Sequence, residues 1–181
     1  MSDAPAAPPP PAVRLEPLEV SHADALFEGL RDPALYEFVA EAPPASLQAL
    51  RARYAHLATR RSPDGAEGWL NWAVWAEAAG AFVGYVQATV DRQGGADVAY
   101  VLLRPHQGRG YARAAVTAML ERLRAEPAVT TVRARVDARH RRSRALLGAL
   151  GFRCVGVLKA TLRGRPTDDV LYARDLVPLT P

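Results

Sequence analysis

The 181-residue chain has a single cysteine, Cys154, and a single lysine, Lys159. One cysteine excludes an intrachain disulfide framework and a multi-cysteine zinc site. No apolar run approaches the ~18–20 residues that cross a bilayer as a helix, so a membrane-spanning helix is excluded. Internal repeats are absent. The N-terminus has neither a basic n-region nor an apolar h-region, so it is not read as a signal peptide and a cytoplasmic protein is expected. Aromatic residues make up only 7% of the chain.

What is present suits a folded domain. Hydrophobic residues are 49% and charged residues 23%, enough to bury a core. Positions 1–12 hold five Pro and four Ala and are expected to form a disordered, polyproline-II-like tail. Residues 13–181 are then a single domain. The formal charge of +4 is unevenly spread. From Arg104 to Arg165 the net charge is +12, whereas residues 1–103 carry −6 and residues 166–181 carry −2. One part of the fold looks built for an anion and the rest for cations. An equally simple reading is a composition that favours Arg.

The coarse order of elements is β-α-α-β-β-β-α-β-α-β-β, a mixed α/β architecture around one sheet of six to seven strands with about four helices. The expected strands are Val13–Leu18, Leu70–Glu77, Phe82–Val90, Ala96–Leu103, Thr130–Val136, Val155–Ala160 and Val170–Arg174. Arg163–Thr167 is expected to connect the last two. Helices are expected from Ser21, with Ser21 as N-cap and Asp24 three residues on; from Ser46 to about Arg61; over Gly110–Glu126; and over Arg141–Leu150, ended by Gly151. A strand–helix–strand crossover from Ala96 to Val136 lies at the centre.

The informative stretch is Val101-Leu-Leu-Arg-Pro-His-Gln-Gly-Arg-Gly-Tyr-Ala112. A strand ends, and a short turn with Gly108 and Gly110 opens a helix. Glycines let the backbone take unusual dihedrals, and the first helical turn offers unpaired N–H groups that attract phosphate. Arg109 and Arg113 would add charge. The segment lacks the P-loop pattern, and Arg113 stands where a dinucleotide fingerprint needs its third glycine. Taken alone, Gly-Arg-Gly also suits a tight turn with no ligand.

Gln107-Gly-Arg-Gly-Tyr-Ala112 resembles the acyl-CoA motif of the GNAT N-acetyltransferase superfamily. Ser143-Arg-Ala-Leu-Leu-Gly-Ala-Leu-Gly-Phe152 resembles its second motif. Ala96–Pro105 and Gly164–Tyr172 are similar to the branch of ribosomal-protein N-terminal alanine acetyltransferases. The resemblance spans Val13 to Leu176 and implies the GNAT fold and direct transfer of acetyl from acetyl-CoA, without a metal, to a primary amine in a ternary complex. It also implies that the motif strand splays from the next one. The pantetheine arm would then pair with Val101, Leu102 and Leu103. The diphosphate would lie on the amides of Gly108, Arg109, Gly110, Tyr111, Ala112 and Arg113, and Gln107 is also expected to bind the cofactor.

The resemblance makes Asp97 the candidate base or amine-binding carboxylate and Ser143 the candidate donor near the CoA sulfur. His140 stands where relatives carry an Asn that contacts pantetheine, and Leu147 where many carry a Tyr acid. One or two of Arg139, Arg141, Arg142 and Arg144 are expected at the 3′-phosphate. Trp69 or Trp75 could line an acceptor groove; Trp72 and Cys154 are expected in the core. The acidic first half suggests a cationic acceptor, either a protein N-terminus or a small amine. Specificity is expected from the loops at 31–46, 62–69 and 160–168. A homodimer fits the resemblance. The rivals are a silent CoA-binding domain and an Arg-rich nucleic-acid module, the latter disfavoured because Arg104–Arg165 holds only Tyr111 and Phe152 as aromatics.

Overall fold

The computed structural model describes residues 10–177. Most of the expected tail, residues 1–9, lies outside the described residues. Pro11 belongs to that expected tail, yet its ring lies 3.1 Å from where a Cβ on Gly110 would sit.

Seven strands form one sheet: β1 Val13–Pro17, β2 Gly68–Ala76, β3 Ala81–Val90, β4 Gly95–Leu102, β5 Thr131–Asp137, β6 Arg153–Leu162 and β7 Arg165–Asp175. Their spatial order is β1-β2-β3-β4-β5-β7-β6. Only β4 and β5 run parallel, and helix α3, Tyr111–Arg124, makes the crossover between them. Helices α1, His22–Leu30, and α2, Leu47–Leu57, cover one face of the sheet. Helix α3 and helix α4, Arg141–Ala149, cover the other. This is the mixed α/β architecture expected from the sequence, with four α-helices among the described residues.

The larger core lies under α3. Ala115, Val116, Met119, Leu120 and Leu123 recur at three- and four-residue spacing and are all buried against Val86, Val98 and Val132. Each large aliphatic side chain removed from water there contributes about 2 kcal/mol. Leu147, at the position where relatives place a Tyr, is fully buried in this core, and Trp72 is buried as expected.

Several local expectations are corrected. Ser21 makes no side-chain cap, because its own backbone is already helical at φ −57° and ψ −30°. His22 Nδ1 instead accepts from the Glu19 N–H at 3.0 Å. Helix α2 stops at Leu57, because Arg60 adopts φ +62° and turns the chain. The last two strands run on to a two-residue turn, Arg163-Gly164, with φ of +50° and +75°, the type of turn that continues strand pairing to the tip. Cys154 is exposed, because β6 is the uncovered edge of the sheet. Of the two Trp residues expected near an acceptor groove, Trp75 packs edge-on against Phe82 beneath Arg14, and Trp69 packs on His56.

Candidate active site

The parallel pairing of β4 with β5 is brief. It joins Gly95, Ala96 and Asp97 to Thr131, Val132 and Arg133 and then stops. Beyond Asp97 the strands part, while β3 holds the other side of β4 as far as Leu102 and β7 holds β5 throughout. The gap exposes one backbone edge of β4 at Ala99–Leu102. Leu103, just beyond, donates its N–H to Val83 O, and its side chain lies over Gly29 of α1.

At the top of the gap, Gly108 and Gly110 take φ of +75° and +83°, conformations that cost an L-residue about 1–2 kcal/mol. Gly110 caps α3 without any side-chain bond, and the first turn of α3 holds no acidic residue. Among the described residues, none of the N–H groups of Gly108 to Arg113 donates a hydrogen bond. These N–H groups sit at the positive end of a fourteen-residue helix. Gln107 braces the turn instead of reaching out, its Nε2 donating to Leu102 O at 2.9 Å. The Tyr111 side chain is buried, so at that position only the backbone faces a ligand.

Across the gap stands the start of α4. His140 caps it by accepting the Ser143 N–H on Nδ1 at 3.3 Å. A ring that accepts on Nδ1 carries its proton on Nε2, leaving that nitrogen as a donor. Burial lowers the His140 pKa below the ordinary 6.5, which keeps the ring neutral. Its ring packs on Phe38 at 4.6 Å. The buried Asp137 carboxylate anchors the connecting loop. It accepts from the Arg139 backbone and guanidinium and from Thr167 Oγ1, and these bonds hold its pKa well below the usual carboxylate range.

Ser143 is buried, and its Oγ lies 2.7 Å from the Tyr100 hydroxyl. Tyr100 is on the open stretch of β4, so this pair closes the gap between strand and helix. Burial raises the Tyr100 pKa, keeping the phenol protonated. The sequence expectations omitted Tyr100. Its place on the motif strand, alternating with Ala96, Val98 and Leu102 toward the core under α3, is the signal that could have found it.

Asp97 is elsewhere. It lies in the closed part of the β4–β5 pair, where Arg133 donates to both its carboxylate oxygens at 2.9 Å. The same guanidinium also binds Asp91. Part of the basic segment is neutralised by such pairs: Arg135 meets Asp169, Arg139 meets Asp137, and Arg153 meets Asp175. Arg144 is spent on Ala138 O and the Tyr172 hydroxyl. Among the described residues Arg109, Arg113, Arg141 and Arg142 have no ion-pair partner. The first two flank the glycine turn, and the other two open α4.

A strand gap beneath a bare helix N-terminus suits a long, phosphate-ended carrier. Residues 12–153 match the model of the Acetyltransferase (GNAT) domain, and the chain belongs to that acetyltransferase family. A solved structure carrying a provisional acetyltransferase assignment is 30% identical, with a TM-score of 0.69 over 92% of this chain and 89% of that one. RimL, the ribosomal L7/L12 α-N-protein acetyltransferase, solved with coenzyme A, is 18% identical with a TM-score of 0.80 over 91% and 94%. The microcin C7 self-immunity acetyltransferase MccE, solved with acetyl-CoA and AMP, is 16% identical with a TM-score of 0.79 over 91% and 92%. No curated protein matches the chain significantly. The protein is an N-acetyltransferase of the GNAT class.

Proposed function

We propose that this chain binds acetyl-CoA along the open edge of β4 and passes the acetyl group directly to a primary amine, on a protein N-terminus or a small molecule. The observation that carries the reading is the set of unpartnered N–H groups from Gly108 to Arg113 above a strand edge left open by the β4–β5 gap. Those N–H groups, with Arg109 and Arg113, hold the diphosphate. Of the three residues expected to pair with pantetheine, Leu102 turns its backbone to the open edge, whereas Val101 faces β3 and Leu103 spends its N–H on Val83 O and its carbonyl on the His106 N–H. The Nε2–H of His140 donates to the pantetheine from the opposite side. Arg141 and Arg142 are left to meet the 3′-phosphate.

The bound thioester supplies an activated acetyl group and a thiol leaving group with a pKa of about 8.5. Ser143 Oγ donates to the departing sulfur, and the Tyr100 hydroxyl, 2.7 Å away, fixes the direction of that donation. The hydroxyl absent at Leu147 is thus replaced from the neighbouring strand. With Asp97 held by Arg133, an ordered water takes the proton from the amine. Positioning the two reactants supplies most of the rate. Thermal denaturation with acetyl-CoA, followed by thiol release with an amine panel, tests the reading. The expected result is a rise in Tm with acetyl-CoA and thiol release that depends on the amine. No Tm shift at saturating acetyl-CoA overturns it.

A further inference from the structure

A cavity of about 160 Å³ opens between α1, α2 and the sheet, lined by Tyr36, Arg53, Tyr54, Asn71, Tyr85 and Gln87 among apolar residues. Pockets that hold whole drug-sized ligands are about 300–1,000 Å³, so this one takes a single group of a larger molecule. Tyr85 and Gln87 pair across the sheet with Val101 and Ala99 of β4. The cavity therefore lies one to two strand spacings, about 5–10 Å, from the open edge where acetyl would be presented.

Its chemistry has one sign. Among the described residues no carboxylate lines it. Tyr54 is 3% exposed, yet its hydroxyl has no hydrogen-bond partner among the described residues. A buried hydroxyl left unpaired is costly and waits for a partner. Arg53, on the same helix, forms no ion pair among the described residues. Burial pushes up the phenols of Tyr36, Tyr54 and Tyr85, the last to about 12, and the positive charge of Arg53 opposes the rise in all three. Three neutral phenols and one guanidinium thus converge on one small space. Glu41 acts on Tyr36 and Tyr85 in the opposite sense, but it does not line the cavity.

We infer that the acceptor is an amine bearing an anionic group, a carboxylate or a phosphate, which enters this cavity and is bound by Arg53 and the Tyr54 hydroxyl. The inference rests on the acetyl-transfer reading for the position of the amine. It reverses the cationic acceptor suggested by the acidic first half of the chain, because that negative charge is not where the cavity is. Arg53 supplies the fork that matches an oxyanion, and Tyr54 supplies a buried donor that no described residue engages.

The test uses four compounds of one length: aminohexanoate, its amide, aminohexyl phosphate and hexanediamine. Each is titrated into the full-length protein with and without CoA, and each is assayed as acceptor by thiol release from acetyl-CoA. At least one anionic compound is expected to bind, and to show a KM, about tenfold or more below the amide and the diamine. Preference for the carboxylate over the phosphate, or the reverse, identifies which anion the cavity holds. Arg53→Gln and Tyr54→Phe are each expected to erase the preference while the acetyl-CoA Tm shift stays at the wild-type value. Equal binding of all four, a preference for the diamine, or a preference that survives both substitutions overturns the inference. Selective anion binding without thiol release supports the cavity and contradicts acetyl transfer, so the two failures are distinguishable.

Discussion

The Tyr100 and Ser143 hydroxyls meet across a gap between a strand and a helix that are 43 residues apart in sequence. If they act as one donor, Ser143→Ala and Tyr100→Phe each lower kcat by about tenfold with little change in the KM for acetyl-CoA, as expected for one lost hydrogen bond. The double substitution is then no worse than the worse single one. Steady-state kinetics with additive losses would contradict the pairing. At Gly110 the expected outcome is different in kind. Gly110→Glu introduces a left-handed L-residue and a negative charge beside the bare N–H groups. It should cost about 1 kcal/mol of stability and abolish the acetyl-CoA Tm shift. A retained shift in differential scanning fluorimetry would count against the anion site. The glycines were legible in the sequence because their backbone requirement is local. Asp97 was legible as a candidate base or amine-binding carboxylate, but its engagement by Arg133 was not, because that partner arrives through the crossover. Tyr100 was missed because its partner, Ser143, comes from α4, 43 residues further on.

Among the elements, the loop between β5 and α4 decides how the site is held. Asp137 ties Arg139 to Thr167 of β7, and the Ala138 N–H reaches Asp168 O at 2.8 Å. Asp137→Asn should lower stability by about 2 kcal/mol, the scale of a hydrogen bond to a charged group, and reduce kcat by loosening the cap of α4. Urea denaturation and kinetics check the two effects. Unchanged kinetics would separate this loop from catalysis. The cap also titrates. The His140 pKa is below 6.5 in the fold, so the unfolded chain binds the proton more readily. Its contribution to stability is present above about pH 6.5 and is lost as pH falls below that value. The Tm of His140→Asn should therefore fall less steeply than that of the wild type between about pH 6.5 and 5; equal slopes would contradict this. Most elements were readable from periodicity, the helix spacing of α3 above all. The ends of α2 and of the β6–β7 hairpin depended on positive φ at Arg60 and Arg163, which their residue types do not announce. The burial expected of Cys154 failed because a β-rich segment does not reveal whether its strand lies at an edge.

For the whole molecule, the +12 segment was legible as charge but not as function. Folding pairs part of it with carboxylates drawn from distant positions, and it leaves Arg109, Arg113, Arg141 and Arg142 around one gap. Acetyl-CoA affinity should therefore weaken as ionic strength rises, because these exposed side chains act through solvent. An amide-resolved NMR titration with CoA tests the central claim most directly. The account predicts the largest shifts at the N–H groups of Gly108 to Arg113, accompanied by shifts at Val101 to Leu103. Shifts confined to other parts of the chain, with those amides unmoved at saturation, would contradict it.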